Sequence, residues 1–212
     1  MSHALYRQAQ IHQQSSSLSD IYQENVQLSV WQRQLESDIQ QAAQAVVEQR
    51  SVLQLSSRVT VNNVEHKLTD ELGSQPLLTP LQQDIAHLVN LFCCLFNLSD
   101  VGLRLSILND TMCPRFHVDR VPCRLITTYH GIATQWLPQH RVDRSKLGAG
   151  NQGLGDSASC IYQNPQHIES FKTGDVALLK GESWDGNVGG GIVHRSPQTI
   201  PNQKRLLMTL DF

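Results

Sequence analysis

The chain of 212 residues is 40% apolar and carries a formal net charge of −2 with a pI near 6.5. Such a length and apolar content can bury one good core with a helical annex. The charge balance lacks the basic footprint that nucleic-acid binding needs, which argues against nucleic acid as a main partner. The longest apolar run, Ile85–Leu98, contains His87 and Asn90 and is too short to span a bilayer, and no signal-type segment opens the sequence. Five cysteines, Cys93, Cys94, Cys113, Cys123 and Cys160, form no CxxC pair and fit reduced thiols. A soluble cytoplasmic protein without a membrane partner is expected.

Residues 1–20 hold Gln, Ser and His with few large apolar groups, so burial cannot offset the entropy of ordering them and a flexible tail is predicted. Thirteen glutamines among residues 1–54 read as a polar helix surface rather than a sticky low-complexity arm. Ser29-Val-Trp-Gln32 has the form of a capping box, and Trp31, Leu35, Ile39, Ala42 and Val46 follow at helical spacing. A helix from about Val30 to Arg50 is therefore predicted. Ser57–Val61 alternates like a short strand. Asn62-Asn63 precedes a short helix through Val64, Leu68 and Leu72, which Gly73 ends. Thr79-Pro80 opens another, whose face of Leu81, Ile85, Leu88, Phe92 and Leu95 is apolar enough to pack on the outside of a sheet.

From Val101 the hydrophobic period changes to two. Leu103, Leu105 and Ile107 alternate with Arg104, Ser106 and Leu108, and further strand candidates are Arg115–Val118, Cys123–His130, Ala158–Tyr162, Val176–Lys180, Gly191–Arg195 and Arg205–Phe212. Helices first and strands afterwards predict an α+β protein: a jelly-roll core at residues 101–212, with a helical part at residues 21–100 packed against it. The stretch Asp143–Asp156, with Gly148-Ala-Gly-Asn-Gln-Gly-Leu-Gly155, lacks the Lys-Ser/Thr ending of a P-loop. It reads as a lid or surface loop over a site rather than a phosphate cradle.

His117 and Asp119 lie one residue apart in an extended segment, so both side chains face the same way and can share one ion. His194, in Gly190-Gly-Ile-Val-His-Arg-Ser-Pro197, is the candidate third ligand. Two histidines and one carboxylate form the facial triad that suits non-haem Fe(II). The plain alternative is a pair of satisfied strand histidines, with Asp119 in an ordinary ion pair with Arg120 or Arg124. Cys113 and Cys123 flank the His-x-Asp pair and offer a rival, thiolate-rich zinc site. On Cys123–His130, only one set of alternating side chains can look inward, and the Thr127 and Tyr129 face is the favoured one. Trp136 and Trp184 lie on loops where they stack on a substrate or fill core.

An ordered His-x-Asp, a distant His and Arg205 about ten residues later resembles the Fe(II)/2-oxoglutarate dioxygenases over residues 101–212. That resemblance implies a double-stranded β-helix, Fe(II) and 2-oxoglutarate as cofactors, and hydroxylation of a substrate the sequence does not name. It also implies that Arg205 anchors the distal carboxylate of 2-oxoglutarate, with Tyr129 and Thr127 beside it. Arg124, Trp136, Arg195 and Ser196 are then candidates to reach the substrate or to support the ligands. The phrases His117-Val-Asp-Arg, Arg124-Leu-Ile-Thr-Thr-Tyr-His-Gly, Thr134-Gln-Trp-Leu-Pro138, Asp175-Val-Ala-Leu-Leu-Lys-Gly181 and Val193-His-Arg-Ser-Pro197 are similar to a bacterial family known only as a domain of unknown function. Its members tend to sit near zinc-homeostasis genes, which implies the alternative of a non-catalytic zinc-binding protein in metal homeostasis.

Overall fold

A computed structural model describes residues 7–198, 200 and 203–212. The chain runs β1 (Gln8–His12), β2 (Val26–Trp31), α1 (Ser37–Gln49), β3 (Gln54–Val59), α2 (Val64–Leu72), α3 (Thr79–Phe96), β4 (Val101–Leu108) and β5 (Cys123–His130). It continues through β6 (Gln135–Leu137), α4 (Asp156–Ser159), β7 (Glu169–Ser170), β8 (Val176–Lys180), β9 (Val193–Arg195) and β10 (Arg205–Asp211). Seven strands form a large sheet in the order β1-β2-β8-β5-β10-β4-β3, parallel only at β1–β2, and three short strands form a second, antiparallel sheet, β7-β6-β9.

Alternation sends the two faces of the large sheet to different layers. Leu103 and Leu105 of β4, Leu125 of β5 and Leu206, Met208 and Leu210 of β10 bury one face against α1 and α3. The predicted stripe of Leu81, Ile85, Leu88 and Phe92 on α3 is fully buried there. The opposite face presents Leu28, Val30, Ile126, Ala177 and Leu179 to Trp136 of the small sheet and to Ile192, just before β9. The result is a mixed α+β molecule, helices on one side of a sheet-rich core. Lys204 fastens a helix to it from behind, its Nζ donating to the carbonyls of Val47 and Arg50 at the end of α1 (2.6 and 2.8 Å). Among the described residues no helix is long and apolar enough to cross a membrane.

Several expectations are corrected. Within the predicted tail, residues 1–6 lie outside the described residues, but Gln8–His12 is a strand and Leu18 is buried in the helix-side core, as is Ile21 just beyond the tail. Two well-placed apolar side chains are enough to order a polar segment whose backbone a neighbouring strand satisfies. The helix predicted from Val30 begins only at Ser37, because Val26, Leu28 and Val30 also read with period two and β8 pairs along Leu28–Trp31, overriding the capping-box pattern. Strands β1, β2 and β3 all join the large sheet, so residues 21–100 are part of the core and not a helical annex to it. Residues 156–159 form a helical turn, followed by Cys160 at φ +59°, where a strand was expected. Of Arg115–Val118, only His117 pairs, with His194.

Trp184 fills space: it meets Tyr22 and Phe96 edge-on and lies under the ammonium of Lys180, 4.6 Å from its ring centroid. Lys180 is buried on β8 and donates to the Gln23 carbonyl at 3.0 Å, and burial pushes its pKa down to about 8. Between that value and the unfolded value of about 10.4, the unfolded chain holds more protons than the native one, so stability rises with pH across this window. Urea unfolding at pH 7.5 to 10.5 is expected to show this rise in the wild type and to lose the Lys180 part of it in Lys180→Met.

Candidate metal centre

The two sheets meet at β9. Val193 turns outward to Phe116, Leu137 and Ile161, whereas His194, directly opposite Trp136 of β6, turns inward and is 5% exposed. His117 joins this strand by a reciprocal pair of backbone hydrogen bonds with His194, both 3.0 Å, which sets the two imidazoles side by side, centroids 4.5 Å apart and planes tilted by 49°. Asp119 follows in the loop to β5. That loop is clamped by Gly181 N–H to Pro122 O (2.8 Å) and Glu182 N–H to Asp119 O (2.9 Å). Gly181 is needed for the approach: a Cβ there would lie 2.0 Å from the Val121 carbonyl oxygen and 3.0 Å from that of Asp119.

The donor atoms of His117, Asp119 and His194 all lie within 4.8 Å of one another. Each imidazole places Nδ1 on a backbone carbonyl, His117 on Arg115 O at 3.0 Å and His194 on Ile192 O at 3.1 Å. A carbonyl only accepts, so Nδ1 carries the proton in both rings and, in the neutral form, Nε2 keeps a bare lone pair. Burial pushes the His194 pKa down, against the opposing pull of the Asp119 carboxylate, and so favours that neutral form. Asp119 Oδ2 has no hydrogen-bond partner among the described residues although it is buried, and it faces His194 Nε2 at 3.4 Å. A carboxylate oxygen and an imidazole lone pair facing each other without a shared proton repel, and a cation between them removes the conflict. The residues therefore fit a divalent metal, held by two nitrogens and one oxygen.

Around the triad the polar groups are interlocked. Asp119 Oδ1 accepts from Arg124 Nη1 at 2.8 Å, Arg124 Nη2 donates to Asp211 Oδ2 at 2.8 Å, and Arg104 Nη1 reaches that same oxygen at 2.5 Å. On the outer side Arg195 donates to Asp156 (2.7 Å) and Gln135 (2.9 Å) and lies over the Phe116 ring, while the Asp156 carboxylate also accepts from Phe116 N–H. These contacts brace the segment that carries His117.

A cavity of about 220 Å³ opens beside His117 and His194, walled by Ile126, Leu207, Ser106 and Thr134. Thr134 also meets Arg205, whose Nη2 donates to the threonine hydroxyl at 3.4 Å. Arg205 is 2% exposed, and among the described residues its Nε and Nη1 find no partner and no carboxylate pairs with it. Burial pushes its pKa down to about 10, which leaves it charged at neutral pH. A buried charge without a counter-ion costs several kcal/mol, so the site is short of one anion.

Other expected site residues fall elsewhere. Tyr129 and Thr127 occupy the helix-side face of β5, opposite to the one favoured from the sequence: Tyr129 donates to Asp84 Oδ2 of α3 at 2.6 Å, and Thr127 pairs with Met208 and Val176 of the same layer. Period-two alternation separates the faces but does not say which is inward, and the apolar stripe of α3 claims this one. Trp136 is core, stacked on Phe171 with centroids 6.2 Å apart. Cys123 is fully buried on the helix side, where burial raises its thiol pKa strongly, and Cys113 is exposed at the cavity mouth. No cysteine joins the His-Asp-His group among the described residues, which removes the basis for a thiolate zinc site. Ser196 lines the cavity and its N–H is bonded to Cys113 O. Residues 148–155 do not line the cavity; Arg115 holds Gly153 O from outside it. Thr134, Asp156, Gly181 and Asp211 carry roles that no spacing rule marks in the sequence.

The dioxygenase for auxin oxidation 1 from Arabidopsis thaliana, in its 2-oxoglutarate binary complex, matches with a TM-score of 0.51 and 8% identity, over 97% of this chain and 91% of that one. A Pseudomonas putida prolyl-4-hydroxylase matches at 0.48 and 11% identity, over 93% and 96%. HygX from Streptomyces hygroscopicus, with nickel and 2-oxoglutarate bound, matches at 0.47 and 10% identity, over 93% and 85%. Of these three only the plant enzyme exceeds 0.5, and at 8% identity it shows a shared fold and nothing finer. Over residues 12–211 the sequence matches the family described as protein of unknown function DUF1826, and the chain belongs to that family. No curated protein matches the sequence.

Gly181→Ala is expected to push the Asp119 loop away from β8. Overpacking of this kind costs about 1–3 kcal/mol; thermal unfolding should show the loss, and isothermal titration with Mn(II) should show weaker metal binding.

Proposed function

We propose that this protein is an Fe(II)- and 2-oxoglutarate-dependent oxygenase whose two sheets form a double-stranded β-helix. The observation that carries the reading is the Arg205 guanidinium, buried without a counter-ion among the described residues and touching Thr134, which lines the same cavity as His117 and His194, while the unpartnered Asp119 Oδ2 faces His194. Beside His194 a cation is missing, and behind Thr134 an anion is missing. A dicarboxylic 2-oxo acid bridges them, with one carboxylate on the arginine fork and the 2-oxo acid end toward the metal.

His117, Asp119 and His194 would hold the iron, three protein ligands that leave positions open for further ones. Iron bound there supplies O₂ activation coupled to decarboxylation of the 2-oxo acid. The chain's own part is binding and protection. The backbone carbonyls of Arg115 and Ile192 fix both imidazoles as Nδ1–H tautomers, so neither ring needs to lose a proton to bind metal. Arg205 and Thr134 fix the far carboxylate, and Ile126 and Leu207 supply the apolar wall along its chain. Trp136, Phe171 and Ile192 pack the space behind, keeping water from the buried charges.

Anaerobic titration of the Fe(II)-loaded protein with 2-oxoglutarate is the test, read from the visible charge-transfer band of the chelate. The band is expected in the wild type and absent in His194→Ala, which should lose tight metal binding. Arg205→Ala should keep the metal and bind 2-oxoglutarate roughly 100-fold more weakly, within the ~2–5 kcal/mol typical of truncating a buried charge pair. Arg205→Met, by removing an uncompensated charge, should raise the melting temperature of the protein without 2-oxoglutarate. Absence of the band in iron-loaded wild type, or an unchanged 2-oxoglutarate affinity in Arg205→Ala, would overturn the proposal.

A further inference from the structure

Arg124 is the cation in direct contact with the triad, and neither the ligand set nor the 2-oxo acid site gives it a task. We infer that Arg124 is the positioning residue of the centre: by occupying Oδ1 of Asp119 it leaves Oδ2 as the single oxygen offered to a cation. Asp211 holds Arg124 in that pose. The inference rests on reading the triad as a divalent metal site.

The geometry divides the Asp119 carboxylate into two unlike oxygens. Oδ1 takes Arg124 Nη1 at 2.8 Å, whereas Oδ2 is buried, unpartnered and 3.4 Å from His194 Nε2. A carboxylate free of this contact can turn and present both oxygens to one ion, as carboxylate ligands do when nothing restrains them. Such chelation takes a second coordination position, one that an open site has to keep. Arg124 is itself fixed at two points, since Nη2 donates to Asp211 Oδ2 at 2.8 Å and Asp211 pairs directly with Arg124 across β10 and β5. The planar fork joins two carboxylates in one rigid unit, which a lysine ammonium on a flexible stem does not reproduce. The large sheet keeps room for this unit: Gly102 lies opposite Asp211 on β4, and a Cβ there would come within 2.9 Å of Asp211 Oδ1. Charge is also matched, with Arg104 and Arg124 set against Asp119 and Asp211. Asp119 therefore reaches the centre with its outer oxygen already neutralised.

The test measures metal binding without turnover, on full-length protein: Mn(II) affinity by calorimetry and the visible spectrum of the Co(II) form. Arg124→Met is expected to weaken Mn(II) binding about 10- to 100-fold, the usual effect of losing a residue that orients a ligand. It is also expected to lower the Co(II) absorption intensity as a second oxygen joins the ion. Arg124→Lys should recover part of both, and Asp211→Asn should weaken Mn(II) binding less than Arg124→Met. A merely structural role would lower the melting temperature and leave the Co(II) spectrum unaltered. Wild-type affinity in Arg124→Met, or weakened affinity with an unaltered spectrum, overturns the inference and leaves the metal centre standing. Should Arg124→Met fail to fold, Arg124→Lys decides: wild-type affinity and spectrum there overturn it. A wild-type protein that takes up neither ion overturns the metal centre and this inference together.

Discussion

Two backbone hydrogen bonds, from His117 to His194 and back, hold the centre together. Everything else at the site follows from that short antiparallel bridge, because it brings a loop residue onto β9, an edge strand of the small sheet, and sets two imidazoles side by side. A bridge of one residue pair is weak alone. It is therefore reinforced on both sides, by Asp156 and Arg195 around Phe116 outside, and by the Gly181 and Glu182 amides holding the loop after His117. The small sheet has only three short strands, and much of its rigidity near the site comes from these side-chain and loop contacts.

Electrostatics around the cavity has a simple pattern. Near the triad, arginines and aspartates alternate and neutralise one another, Arg104 to Asp211 to Arg124 to Asp119, and the alternation stops at Asp119 Oδ2. Beyond Thr134 stands Arg205, buried with no acid to meet it among the described residues. In a protein interior such unmatched groups are expensive, and their presence beside one cavity is what distinguishes this region from the well-satisfied Arg33–Asp84–Tyr129 cluster on the helix side. Both are buried networks with an arginine and a carboxylate; only the first leaves a donor and an acceptor unpartnered.

Much of the fold could be read from the chain. The α3 stripe and the strands at Cys123–His130 and Val176–Lys180 declare themselves by period and by clear ends. Residues 26–36 did not, because Ser29-x-x-Gln32 satisfies a helix-start rule while Val26, Leu28 and Val30 satisfy a strand rule, and only the partner strand β8 settles the choice. His117, Asp119 and His194 were legible as residue types suited to one ion. Tyr129 was misread, since a strand's alternation is blind to which side a helix will cover. Thr134 and Asp211 were invisible because their importance arises from whom they meet across strands, which no local pattern carries.

Lys204 and Arg205 are neighbours that leave β10 on opposite faces, one gripping the last turn of α1 and the other ending beside the cavity. A strand cannot slip by one residue without exchanging those two directions. The lysine thus serves as a pin in the hinge plate of the molecule, setting the alignment of the arginine from the far side of the sheet, and the end of a surface helix becomes a partner in aligning a charge it never touches.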